Sequence, residues 1–140
     1  MSTAVPSPLL AFRGAVIARL GADAALAALM GGGVRLYDEP PRGALPVYAL
    51  LGPAEIRDDS VDGAVRHSHS HALIVIAKPG SARTALDAAE RIMELLAGAD
   101  IALDGHVLVT CRVRSLGVAR DERSGEARAT LTIEAVTEAV

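Results

Sequence analysis

Val34-Arg35-Leu36-Tyr37-Asp38-Glu39-Pro40-Pro41-Arg42-Gly43-Ala44-Leu45-Pro46-Val47-Tyr48-Ala49-Leu50-Leu51-Gly52 divides a helical N-terminal part from a strand-rich remainder. Proline has no N–H to give to a helix, and its ring clashes with the preceding turn. With Pro40, Pro41, Gly43 and Pro46 so close together, this stretch cannot be helical. It reads as a short extended piece, a rigid proline turn, and a strand entered at Pro46.

Upstream of it, residues 1–7 are small and polar and are expected to form a loose arm. Ser7-Pro8 is a helix start: serine can cap, and proline at the first position gives up no needed N–H. Leu9, Phe12, Val16 and Leu20 recur at helical spacing, with Arg13 and Arg19 off the stripe, and Gly21 ends the helix. Asp23 can cap a second short helix, Ala24 to Met30, which stops at Gly31-Gly32-Gly33. Those glycines lack the Lys-Ser/Thr of a phosphate-cradling loop and follow no strand, so they read as a helix stop.

Downstream, Val47 to Ile56 is read as a strand, Arg57 to Gly63 as a polar loop, and Ala64 to Lys78 as a longer strand. Pro79-Gly80 breaks the chain, and Ser81 can cap a helix from Ala82 to Ala97. Its apolar stripe is Ala82, Ala85, Leu86, Ala89, Met93 and Leu96. After the Asp104-Gly105 turn, His106 to Val118 alternates as a strand. Its Val107, Val109, Cys111 and Val113 are expected inward, and Thr110, Arg112 and Arg114 outward. Arg120 to Gly125 is a hairpin turn. The last strand, Glu126 to Thr137, puts Ala127, Ala129, Leu131, Ile133 and Ala135 inward and Arg128, Thr130, Thr132 and Glu134 outward. A sheet apolar on one face takes helices on that face only. The expectation is one α+β domain over residues 1–140: a four-stranded, mostly antiparallel sheet with two main helices on one face, in the order ααββαββ.

With 140 residues, one domain can bury a core without a staple. Hydrophobic residues are 51% of the chain but aromatics only 2%, namely Phe12, Tyr37 and Tyr48, so Ala, Val, Leu and Ile must fill the core. Such a core is thin per residue and invites subunit contacts. The net charge is −3, and Lys78 is the one lysine among 14 basic residues. No basic face stands out, which argues against a clamp on nucleic-acid phosphates. The single Cys111 excludes an internal disulfide and any Cys-based zinc pattern. The N-terminus shows no secretory pattern, and no apolar run approaches the roughly 18 residues of a membrane span. A cytosolic product, or a particle component assembled there, is expected.

Three local patterns could carry chemistry. His67, His69 and His71 share one face of a strand, and three imidazoles can hold zinc or nickel, but alternate positions on one strand fan out rather than converge. A solvated or interface-facing strand edge is the plainer expectation. Asp58, Asp59 and Asp62 with Gly63 match the first half of a calcium loop, yet the position that should be Glu is His69. A mobile acidic loop, ordering only at an interface, is expected instead. Cys111 falls on an apolar strand face, where burial disfavours the thiolate a nucleophile needs.

Five features, in this order and spacing, resemble the tail completion (tail terminator) proteins of long-tailed phages, prophages and gene transfer agents. They are the helix ending at Gly21 with Asp23-Ala24-Ala25-Leu26, Leu36-Tyr37-Asp38 with Pro40-Pro41, and Pro46-Val47-Tyr48. The others are His71-Ala72-Leu73-Ile74-Val75 and the final strand from Gly125 to Glu134. The resemblance runs from Leu9 to Glu134. Val75-Ile76 stands where the family often carries an aromatic, and the His-rich run is no family feature. The resemblance implies a structural protein without enzymatic activity or cofactor. Such proteins form a ring, commonly a hexamer, at the head-proximal end of the tail tube. The ring stops tube growth and docks the head's neck (stopper or connector) proteins, while DNA passes through the lumen without specific binding. It also implies assembly in the cytoplasm and residence in the virion tail, with no membrane. The candidate contact residues for such an assembly are Tyr37, Asp38, Pro40 and Pro41 on the proline turn and Asp58, Asp59 and Asp62 on the acidic loop, both of which are expected to project from sheet ends, together with Arg112, Arg114 and Arg128 on the strands. The alternative is a small oligomeric binding or regulatory module with a metal on His67, His69 and His71.

Overall fold

The computed structural model describes residues 7–77, 82–98 and 100–140. Residues 1–6 of the arm expected over 1–7, the Lys78 end of the longer strand, the Pro79-Gly80 break and the Ser81 cap lie outside them. Helix α1 (Pro8–Gly21) starts where Ser7 Oγ accepts from Leu10 N–H at 3.3 Å. It buries Phe12, Val16 and Leu20. Helix α2 (Ala24–Leu29) is capped by Asp23, whose carboxylate accepts from Leu26 N–H at 2.8 Å and from the Arg91 guanidinium at 2.7 and 2.9 Å. The Arg91 bonds first, and the Leu26 N–H second, hold the Asp23 carboxyl down at about 2. This residue therefore caps one helix and ties it to α3 (Ala82–Leu96), which carries Arg91.

The strands are β1 (Leu36–Tyr37), β2 (Tyr48–Asp58), β3 (Arg66–Ala77), β4 (His106–Arg120) and β5 (Ala127–Ala139). They form one sheet in the order β1-β2-β3-β5-β4. The fold is α+β and mostly antiparallel, but the sheet has five strands rather than four, and the described elements run ααβββαββ. The added strand is β1, which pairs parallel to β2 through Leu36 opposite Ala49 and Tyr37 opposite Leu50. Two residues are too few to show the alternation that marks a strand, so the extended piece before the proline turn carried no sign of its pairing. The helices pack on one face, α3 on β3, β4 and β5, and α1 on α3 and β2.

Alternation succeeds on β5, where Ala127, Ala129, Leu131, Ile133 and Ala135 are all buried. It fails at the start of β4. Register shifts fall between Leu108 and Thr110 and between Val113 and Ser115. An extra residue in one strand flips everything beyond it to the other face. Hence Val107 and Val109, expected inward, are 51% and 42% exposed, with His106 buried and Leu108 packed on the core instead, while beyond the first shift Cys111 and Val113 face the core and Thr110, Arg112 and Arg114 face outward as expected. On α3 the buried line is Ala85, Ala88, Ala89, Ile92 and Leu96, so the helix is turned slightly from the expected stripe, leaving Leu86 and Met93 half-buried.

Gly52 sits at the irregularity of β2 between Leu51 and Ala54. A Cβ there would lie 3.1 Å from Ala72 Cβ, 3.2 Å from the Ala72 carbonyl oxygen and 3.3 Å from Ile74 Cδ1. Two of these neighbours are fixed to the backbone of the adjacent strand and cannot swing away. Gly52→Val is expected to destabilise the protein by about 1–3 kcal/mol in urea unfolding. Gly117→Ala, whose added Cβ meets nothing within 4 Å, is the control for strand glycines in general.

Candidate functional site

The candidate residues fall in separate places. The acidic loop closes the β2–β3 hairpin. Asp58 Oδ1 accepts from Ser60 N–H at 3.0 Å and from Ser60 Oγ–H at 2.5 Å, and these bonds, the hydroxyl first, lower the Asp58 pKa. Asp59 and Asp62 are exposed beside it. Among the described residues no group of three or more His, Cys, Asp or Glu is placed to hold a metal ion.

Near the other end of the sheet, the Tyr37 and Tyr48 rings lie 5.9 Å apart. Tyr48 lies in register with Ile76, and Ile76 with Arg128. Burial raises the Tyr48 pKa, and Glu126 adds to that. Ile76 is 4% exposed yet stands apart from the core cluster under the helices, so Tyr37, Tyr48, Leu50, Ile74 and Ile76 form a small apolar patch on the outer face. Asp38 pairs with Arg13 of α1, which ties the start of the proline turn to that helix. Pro40 and Pro41 are exposed. Arg128 pairs with Asp121 at 3.2 Å.

Arg112 and Arg114 take opposite oxygens of Glu134, at 3.3 and 3.2 Å. On the far strand Arg57 Nε meets Glu55 at 2.7 Å. Between them run Ser68 and Ser70, so Glu55, Arg57, Ser68, Ser70, Arg114 and Glu134 line a shallow depression on the outer face. The sequence reading singled out the two arginines and missed Glu55 and Glu134 as their neighbours. Alternation shows that these side chains face outward, but only register brings residues from four strands into one row.

The histidines are where the sequence reading fails most. β3 lies between β2 and β5, so its His run is not a strand edge. His69 and His71 are 2% and 8% exposed on the inner face. His69 Nδ1 and His71 Nε2 share a hydrogen bond of 3.1 Å, and His69 Nε2 lies 2.8 Å from Thr137 Oγ1. The Phe12 ring rests on both imidazoles, at centroid distances of 5.3 and 4.8 Å. Burial first, then the neighbouring His71, pushes the His69 pKa down to about 4. Burial first, then Arg13, pushes His71 down to about 4 as well. His67 lies toward the end of the strand and takes no part in this pair. The three imidazoles therefore do not act together: two hydrogen-bonded donors sit in the core and one lies apart.

Comparisons with known proteins cover nearly the whole chain. The model of the family described as tail completion protein gp17 matches residues 14–138. A solved chain from the structure titled "Virion of native gene transfer agent (GTA) particle" is 33% identical, with a TM-score of 0.84, covering 98% of this chain and 99% of that one. No sequence among the curated proteins matches.

Proposed function

Because the chain belongs to the tail completion protein gp17 family, we propose that it is a structural, non-catalytic part of the tail of a phage-like particle. In this reading six copies close as a ring on the head-proximal end of the tail tube. The ring ends tube growth on one face and docks the neck proteins of the head on the other. The observation that carries the reading is the match along essentially the full length of a chain in a gene transfer agent virion.

The physics of capping supports it. A tube grows because each end repeats the same heterologous surface. A ring that fits the tube on one side and differs on the other removes that surface, and needs only differential affinity. No nucleophile is required, and burial raises the thiol pKa of Cys111, the one cysteine. The alternative metal-binding module loses its support, because His69 and His71 are hydrogen-bonded to each other beneath Phe12. The particle is assembled in the cytoplasm, and DNA crosses the lumen without specific contacts.

Deleting the gene from a particle-producing strain tests the proposal. Heads and tails should fail to join, and tails should be irregular and over-long by electron microscopy. Normal-length tails joined to filled heads would overturn it.

A further inference from the structure

The sheet ends on two different free edges. β1 covers β2 only at Ala49 and Leu50. Beyond it, among the described residues, no element pairs with Leu51–Asp58 on the side away from β3. On the opposite edge, Gly98 N–H donates to the Cys111 carbonyl at 3.2 Å, and from Arg112 to Arg120 β4 pairs, among the described residues, with β5 alone. Unpaired N–H and C=O groups in such a row accept another strand readily.

We propose that copies of this chain join through these edges, β2 of one copy beside β4 of the next, so that a single sheet runs through the assembly. The inference rests on the ring reading and gives its subunit contact. Three observations support it. The first is direction. β2–β3, β3–β5 and β5–β4 are all antiparallel, so β2 and β4 run opposite ways. Rotation about an axis along the strands therefore brings β4 against the next β2 as an antiparallel pair. The edges are unlike, so the contact is heterologous and closes into a ring when the rotation divides a full turn.

The second observation is level. Glu55 is in register with Ser70, Ser70 with Glu134, and Glu134 with Arg112. Continuing this row across the joint places Arg112 beside Glu55 of the next copy, and Leu51–Glu55 along Arg112–Leu116. Pro53 removes one donor from that edge, where β2 is already irregular.

The third is charge. The Arg112 and Arg114 side chains are 71% and 68% exposed, although Glu134 already faces both, and Glu55 is 60% exposed. Two guanidinium groups share one local carboxylate, and Glu55 of the next copy, bound in its own chain to Arg57 through Oε1, would bring a second carboxylate to them.

Paired cysteines test this. In a Cys111→Ala background, Glu55→Cys with Arg112→Cys is oxidised on the assembled ring. Opposed strand residues have Cβ atoms about 4.5–5.5 Å apart, within reach of a disulfide or close to it. The pairs Glu55→Cys with Thr110→Cys and Arg57→Cys with Arg112→Cys cover small shifts of register. The expected result is a ladder of disulfide-linked multimers ending at the copy number of the ring, with no step beyond a dimer for either single variant. Arg112→Glu with Arg114→Glu should weaken association about tenfold, and adding Glu55→Arg should restore it. A ring that assembles while none of the pairs gives a ladder overturns the edge contact and leaves the ring reading intact. A chain that stays monomeric both alone and with tail tubes overturns both.

Discussion

Lowering the pH from 7 to 4 removes about 6 kcal/mol of the protein's stability through two buried rings, a large part of what a domain of this size has. His69 and His71 are neutral in the fold, with pKa values held near 4 by burial, against an ordinary value of 6.5. The unfolded chain takes up both protons as pH falls through 6.5, and the folded chain takes them up only near 4. Between those values the unfolded state holds more protons, so stability falls with falling pH. It is fully present above 6.5 and mostly gone by 4. Each pKa unit corresponds to about 1.4 kcal/mol, which gives roughly 3 kcal/mol per ring. The rings share one hydrogen bond and titrate as a pair. The charges facing them point the same way: Arg13 from α1 opposes protonation of His71, while His67 and His106 oppose it at His69. Asp38 pairs with Arg13. The Asp23 carboxyl, held near 2, stays ionised throughout this window, so its contribution is lost only at lower pH. Urea unfolding at pH 7, 6, 5 and 4.5 should show a steep slope. His69→Gln with His71→Gln keeps hydrogen-bonding capacity at both positions without titrating and should flatten it. A wild-type change below about 1 kcal/mol from pH 7 to 4.5 would refute the assignment.

What could be read in the sequence, and what could not, follows from the range of each signal. α3 and β5 were legible because each buries one face along its whole length, so the period survives from end to end. The proline turn and the Ser7 and Asp23 caps were legible because their chemistry acts within a few residues. The start of β4 was misread because a bulge at Val109 changes the parity between Val107 and Cys111, and nothing local announces the extra residue. The histidines were misread for a different reason. Their alternation was visible, but burial depends on Phe12 arriving from α1 and Thr137 from β5, far away in the chain. Of the surface residues, Arg112 and Arg114 could be placed on the polar face from spacing alone. Their shared partner Glu134, and the row that reaches Glu55, required the register.

Leu131→Ala should cost about 2–5 kcal/mol, and Val109→Ala less than about 1 kcal/mol. Leu131 is fully buried at the centre of β5, with Leu73 of β3 and Leu116 of β4 in register on either side. The same core cluster holds Ile92 of α3 and Phe12 and Val16 of α1. Removing three carbons there loses their transfer from water and leaves a hole. The surroundings are poorly suited to closing it, because alanines make up much of the neighbouring core and have no side chain to move: Ala85, Ala88 and Ala89 on α3, and Ala129 on β5. A core with one phenylalanine and no tryptophan has few large groups to shift into a cavity, which favours the upper part of the range. Val109 lies where β4 carries an extra residue and is 42% exposed, so its methyl groups leave little packed volume behind. The contrast tests the face assignment of β4 directly. If Val109 pointed inward, as plain alternation would have it, the two variants would differ by much less, since Val→Ala in a packed core also costs upward of about 1 kcal/mol. Urea midpoints for the two single variants, with an unchanged denaturant slope, are enough to decide it.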